Sequence, residues 1–438
     1  MGLFDQLSPK LYSLVKRNRQ LRNAVMPLWQ LMARAFVKGR SILNRDVELP
    51  APTGICTSTE QWVQSALARD PAARHSFQLL HPATEIRRAL PKTIEKTVHW
   101  RFRAGEVTTQ PATFVATIEQ GRAYNEGAVI TPDDQLLADV SWMIVAGEYS
   151  KDASDHAVFK NRRLPPLHKV DGRVAVLSAT SGRGYYHWMF DVLPRLHLLR
   201  EAGISLDSID RFLVNNYVSR FHIETLSILG IPRGKIMESH WNPHVKADQL
   251  IVPSLVGDTG YVPVYACEFL RDTFLPKVPI DGAARPKRLY FNRTQVTHRR
   301  VTNETEVIDL LGRHGFESIT LENLPLTEQI ALLAGAEVVV VPHGAGLTNI
   351  VFCKPGTKII ELLSPNAVNV MYWTISNQVG LDYYYVLSDG ARAPEFVNPY
   401  NNNDDLRISL TDLSDVLEMA GLDRQSTAIV GQTLRGSA

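Results

Sequence analysis

The chain has 438 residues, enough for two or three domains that each bury a core of their own, and its 45% hydrophobic and 21% charged composition is ordinary for a globular protein. A net charge of +2 excludes a general affinity for polyanions. Three widely spaced cysteines, Cys56, Cys267 and Cys353, exclude a disulfide framework and a zinc motif.

Residues 1–45 stand apart. They hold nine basic residues, Lys10, Lys16, Arg17, Arg19, Arg22, Arg34, Lys38, Arg40 and Arg45, against the single acid Asp5. Apolar residues such as Leu11, Leu14, Trp29, Leu31 and Phe36 are interleaved, and Pro27 divides the segment into two expected helices. A basic amphipathic segment suits an anionic membrane surface; a solvated helix pair packed on the body is the plainer alternative. No apolar run approaches the ~20 residues that span a bilayer, and no secretory leader is evident. Gln6 stands where a myristoylation signal wants Ser or Thr. The expected location is the cytoplasm, with peripheral attachment to the inner face of the cell membrane through 1–45.

Residues 46–275 are expected to form one domain. Within it, 46–100 reads as a linker and mixed structure, and 98–150 as a β-rich extension with runs such as Val98–Phe102 and Ala112–Ile118. From about 170 the pattern becomes strand, turn, helix. Val174–Ser178 is a strand, Ser181–Gly184 a turn, Tyr186–Arg200 a helix with Pro194 inside it, Arg211–Val214 a strand, Phe221–Leu229 a helix and Gln249–Val252 a strand. Pro276, Pro279, Gly282 and Pro286 mark a hinge over 276–287.

A second domain follows over 288–438. Strands are expected at Arg288–Asn292, Phe316–Thr320, Glu337–Val341, Thr357–Leu362 and Asp382–Val386. Helices are expected at Asn303–His314, Leu326–Ala334, Gly344–Phe352 and Val368–Val379. Alternation of this kind predicts parallel sheets with crossover helices, and a run of four valines suits a strand covered on both faces. The fold class is therefore α/β, with two Rossmann-like domains.

Four features carry chemistry. In Val338–Asn349 a buried strand runs into His343, Gly344, Ala345, Gly346, Leu347, Thr348 and Asn349, where a helix begins. Small residues there let a ligand approach the backbone, and the free N–H groups of a helix start suit a phosphate. The alternative is a turn whose glycines serve shape alone. Glu361 ends the next strand, where an acid can accept ribose hydroxyls or play no part. Arg293, Arg299 and Arg300 follow another strand and can neutralise a diphosphate, since guanidinium binds phosphate bidentately, or serve surface solubility alone. His187 and Asp191 lie one helical turn apart on one face. Such a pair is a general base with an orienting partner, or a structural hydrogen bond. No third metal ligand lies nearby, and no Asp-x-Asp occurs in the chain.

Taken in order, His187-x-x-x-Asp191, Tyr290-Phe-Asn-Arg293, Arg299-Arg300-x-x-Asn303-Glu304, His343-Gly-Ala-Gly-Leu-Thr-Asn349 and Gly356-Thr-x-x-Ile-Glu361 resemble glycosyltransferase family 61. The resemblance covers roughly 170–390. It implies a GT-B fold and an inverting transfer from a nucleotide-sugar donor, expected to be a UDP-sugar, with no other cofactor; the absence of Asp-x-Asp and the presence of these arginines predict a transfer without a metal. It places the diphosphate at Gly344–Asn349 with Arg293 and Arg299, the ribose at Glu361, and the base at Asp191 with His187 beside it. The implied partner is a glycan or lipid-linked saccharide acceptor in capsular or exopolysaccharide synthesis, with no nucleic acid. A catalytically silent scaffold in a membrane-associated polysaccharide assembly is the competing reading. A Rossmann-type epimerase or dehydrogenase is the third: Tyr12 and Lys16 have the Tyr-x-x-x-Lys spacing, but in the basic segment and without a GxGxxG.

Overall fold

The computed structural model describes residues 47–422 except 146–147, 151, 279–284, 295, 297–298 and 400–403, together with residues 25, 28, 31–32 and 35–42. Most of the basic segment, the centre of the expected hinge and everything beyond 422 therefore lie outside the described residues. No helix among those described is long and apolar enough to cross a membrane.

Two sheets carry the fold. The first is mixed and ten-stranded. At its heart His168–Val176, Arg211–Val214, Ile236–Glu238 and His244–Pro253 run parallel. The last of these lies on the opposite side of His168–Val176 from Arg211–Val214. The chain thus builds outward from 168–176 in one direction and then returns to its other side, leaving a crevice at the carboxyl ends of 168–176 and 244–253. Ligands bind at such switch points in open α/β sheets. Part of the β-rich region expected over 98–150 joins the same sheet, where Thr113–Glu119 and Arg122–Tyr124 pair antiparallel with His244–Pro253, whereas the run Val98–Phe102 leads into the helix Trp100–Ala104 instead of a strand.

The stretch read as a linker is better ordered than expected. Gly54–Cys56 pairs parallel with Gln135–Leu137. Thr59–Arg69 is a helix capped by the Ser58 side chain, which accepts from Gln61 N–H at 3.3 Å. Trp62, Val63 and Ala66 on one face of that helix are buried under the sheet.

The second sheet has five parallel strands in the order Glu317–Ile319, Arg288–Phe291, Val338–Pro342, Lys358–Leu363, Asp382–Leu387. Its switch point lies between Arg288–Phe291 and Val338–Pro342. The valine strand is buried at every position, as its unbroken apolar run requires of a strand covered on both faces. Burying each such side chain is worth about 1.5–3 kcal/mol, so a charge at Val340 would cost more than the strand could absorb.

The two sheets do not stand apart. One apolar cluster contains Ala175 and Phe212 of the first and Val339 and Ile359 of the second. Residues around 92 also cross over: Lys92 accepts from Tyr385 N–H at 3.1 Å, its own N–H donates to Tyr383 O at 3.0 Å, and the Arg392 guanidinium pairs with Glu95. A stretch assigned by sequence to the first domain thus rides on the edge of the second sheet. Interleaving of that kind is invisible to local pattern.

Candidate functional site

Pro194 explains the geometry of the first cluster. Lacking an N–H, it cannot donate to residue 190, and the ladder widens. Leu193 N–H donates to Trp188 O at 2.9 Å, five residues back, within a π-turn over Trp188–Val192. Single π-turns inside helices recur at functional sites. The helix expected over Tyr186–Arg200 is therefore three pieces, Tyr185–His187, the π-turn and Pro194–Glu201.

Asp191 sits in that turn. Its Oδ2 lies 2.7 Å from His187 Nδ1 and accepts from the Thr259 hydroxyl at 2.7 Å. With Nδ1 as donor to the carboxylate, the imidazole takes the Nδ1–H form. Oδ1 has no hydrogen-bond partner among the described residues. Asp191 lines a small cleft together with Glu126, Trp142, Thr180, Val256 and Thr259. Its walls follow strands 168–176 and 244–253, so it is the switch-point crevice of the first sheet. Thr259 was missed by the sequence reading because it lies 68 positions from Asp191, in a loop with no motif of its own.

Arg195 was missed too. It is fully buried and donates to Ser178 O at 2.8 Å, Ser254 O at 3.1 Å and Pro253 O at 2.5 Å. One guanidinium thus ties the ends of both strands that wall the cleft. Burial pushes it down to about 10, with Asp191 acting in the opposite sense.

The second cluster is the switch point of the second sheet. The expected helix start is a 3-10 helix, Ala345–Phe352, in which Leu347 N–H donates to Gly344 O at 3.0 Å. Ala345 is exposed and Gly346 half-buried, whereas Leu347, Thr348 and Asn349 are buried. Arg293 Nη1 donates to His343 O at 3.3 Å, and the Arg293 N–H donates to Glu304 Oε1 at 3.0 Å. Burial, and then the neighbouring charge of Arg299, pushes Arg293 down to about 10. Arg299 holds a left-handed backbone, φ 53°, and burial lowers it as well, against Tyr372 and Glu361. Strained backbone of that kind concentrates at ligand sites. Arg300 is drawn away by Asp405, to which its Nε donates at 3.0 Å.

Two expected donor contacts take a different form. Glu361 is fully buried; its Oε1 is 2.5 Å from His343 Nδ1 and its Oε2 accepts from the Tyr383 hydroxyl. A group receiving ribose hydroxyls has to reach the cleft, and Glu361 does not. Asn349 accepts from the Tyr185 hydroxyl at 2.5 Å and donates to Gln329 Oε1 at 2.8 Å. It pins the first unit to the second rather than facing a ligand.

The two clusters are neighbours. The His343 ring lies 5.2 Å from Tyr372, Tyr372 lies 6.0 Å from Tyr186, and Tyr186 lies 5.4 Å from His187. A cationic turn suited to a diphosphate and a carboxylate with an orienting imidazole are thus separated by two tyrosine rings. Among the described residues no group of three His, Cys, Asp or Glu is placed to hold a metal ion.

Residues 185–360 match the family model Glycosyltransferase 61. The match begins at Tyr185, spans both clusters and ends one residue before Glu361. The chain is also similar to the xylan glycosyltransferase MUCI21 of Arabidopsis thaliana, 35% identical over 107 residues, which are 23% of this chain and 21% of that protein. It is 29% identical to the beta-1,2-xylosyltransferase RCN11 of Oryza sativa over 24% of this chain and 21% of that protein. It is 32% identical to protein O-linked-mannose beta-1,4-N-acetylglucosaminyltransferase 2 of Takifugu rubripes over 23% of this chain and 18% of that protein. The chain thus spans about a fifth of the length of these relatives, and these are plant and animal proteins. The Glycosyltransferase 61 stretch is where His187, Asp191, Arg293, Arg299 and the His343–Asn349 turn all fall.

Proposed function

We propose that this protein is an inverting glycosyltransferase that moves a sugar from a nucleotide donor to a glycan acceptor. The observation that carries the reading is the approach of the two switch points, with the match to Glycosyltransferase 61 lying across both. The arrangement is read as GT-B-like, with the donor, expected to be a UDP-sugar, on the second unit. Its diphosphate meets the backbone N–H groups at Gly344–Gly346 and the guanidinium groups of Arg293 and Arg299, which stabilise the leaving charge without a metal. The acceptor hydroxyl enters the cleft beside Asp191. Its proton passes to Oδ1 as the oxygen attacks the anomeric carbon, and the bond from that carbon to the phosphate oxygen breaks. His187 and Thr259 hold Oδ2 and so aim Oδ1.

The names of these relatives point to xylan and to protein O-linked mannose, and a glycan acceptor is the reading they support. A role in surface polysaccharide synthesis rests on the family resemblance alone, and attachment to anionic membrane through residues 1–45 on the charge and apolar pattern of that segment. A liposome pull-down that is equal for full-length protein and for a version lacking 1–45 would end the membrane part. Donor binding is tested by a thermal-shift panel of nucleotide sugars, because a ligand that binds only the folded state raises its melting temperature. Hydrolysis or transfer from the stabilising donor separates an enzyme from a silent scaffold.

A further inference from the structure

The buried side of the donor turn has a construction that phosphate contact alone does not require. Glu361 accepts two hydrogen bonds, from His343 Nδ1 on Oε1 and from the Tyr383 hydroxyl on Oε2. Burial, followed by the charge of Glu361, holds the Tyr383 phenol far above its usual range, so it acts only as a donor. His343 is 6% exposed, and its Nε2 has no hydrogen-bond partner among the described residues. The titratable and charged groups around it are Glu361 and Tyr383 from adjacent strands, Tyr372 from the helix Met371–Val379, and Arg293 and Arg299 from the loop after Arg288–Phe291.

We propose that donor binding is coupled to protonation of His343. When a nucleoside diphosphate settles at Gly344, Nε2 takes a proton from solvent, and the imidazolium lies between Glu361 and the phosphate. The proton returns to solvent when the nucleotide leaves, so the step is balanced. Imidazole is the side chain whose ordinary range lets it change charge near neutral pH. Glu361 is then a positioning residue that acts through His343, and Tyr383 acts through Glu361. The inference rests on the nucleotide-sugar reading of the site.

Isothermal titration of UDP, GDP and CMP in HEPES and in Tris at pH 7.5 measures it, since the two buffers differ in ionisation enthalpy. The expected result is net proton uptake on binding. Across pH 6.5–8.5, Kd should rise by up to about tenfold per pH unit, the limit for one linked proton. His343→Asn should bind more weakly, without uptake and with a flat pH dependence. Arg293→Ala should also bind more weakly, yet keep the uptake. Tyr383→Phe, which preserves the buried ring, should shift the pH curve; it stands in for Glu361→Gln if that variant misfolds. Binding without uptake, or uptake unchanged in His343→Asn, overturns the proton coupling while leaving the nucleotide site standing. Failure of all three nucleotides to bind overturns the donor reading and this proposal together.

Discussion

The Arg293 guanidinium occupies the space a side chain would take at Gly344: a Cβ built there would stand 2.1 Å from Nη1. The backbone of Gly344 is extended, with φ 172°, so the glycine is needed for the close approach and not for its conformation. Gly344→Ala should therefore fold and yet expel Arg293 from the donor turn. Hydrogen bonds to charged groups are worth about 1.5–3 kcal/mol, so UDP affinity should fall about 10- to 100-fold. Arg293→Ala should fall by a similar factor, and the double variant by little more than either. Calorimetry that finds the two losses additive would separate Gly344 from Arg293.

Asp191→Asn should lower kcat by about 10²- to 10⁴-fold, the usual contribution of general-base assistance, with donor affinity almost unchanged. Thr259→Val keeps the shape of the loop and removes one donor to Oδ2, and should lower kcat by about tenfold. Steady-state kinetics with saturating acceptor decide the matter. A near-normal kcat in Asp191→Asn would make the His187–Asp191 pair structural.

Turnover should survive chelation. The chain has no Asp-x-Asp, and in the proposed donor site Arg293 and Arg299 supply the positive charge that a divalent ion would otherwise bring. Loss of activity in EDTA that manganese or magnesium restores would move the charge stabilisation from these arginines to a metal.

Acid should destabilise the fold in a defined window. Burial pushes His156, His240 and His244 each down to about 4 from an ordinary 6.5. Between those values the unfolded chain binds protons that the folded chain refuses, so each group's contribution is present above pH 6.5 and is lost as pH falls towards 4. The slope is about 1.4 kcal/mol per pH unit for each histidine in that window. Thermal melts from pH 7.5 to 4.5 should show it. His244→Gln should flatten it, although His244 Nδ1 lies 3.0 Å from Pro165 O and part of that contact goes with it. A melting temperature constant down to pH 5 would contradict the assignment.

Most of the second sheet was legible in the sequence, because Val338–Pro342 and its neighbours are local apolar runs separated by helical periods. The same local order exposed His187 with Asp191, and His343 with its glycines. Sequence spacing could not supply partners from other strands. Thr259 reaches Asp191 from the loop after His244–Pro253, Arg195 closes its carbonyls across two strand ends, and Tyr383 meets Glu361 from the adjacent strand. Nor could it tell that Glu361 turns inward: an acid at a strand end reads the same whether it faces a ribose or a buried histidine. The sequence determined by itself which residue types stand at the carboxyl ends of parallel strands, since that depends on periods of two and 3.6 residues along one segment. Only the tertiary structure decided which of them face the cleft and which face one another, because strand order and sheet packing join residues that no local period relates.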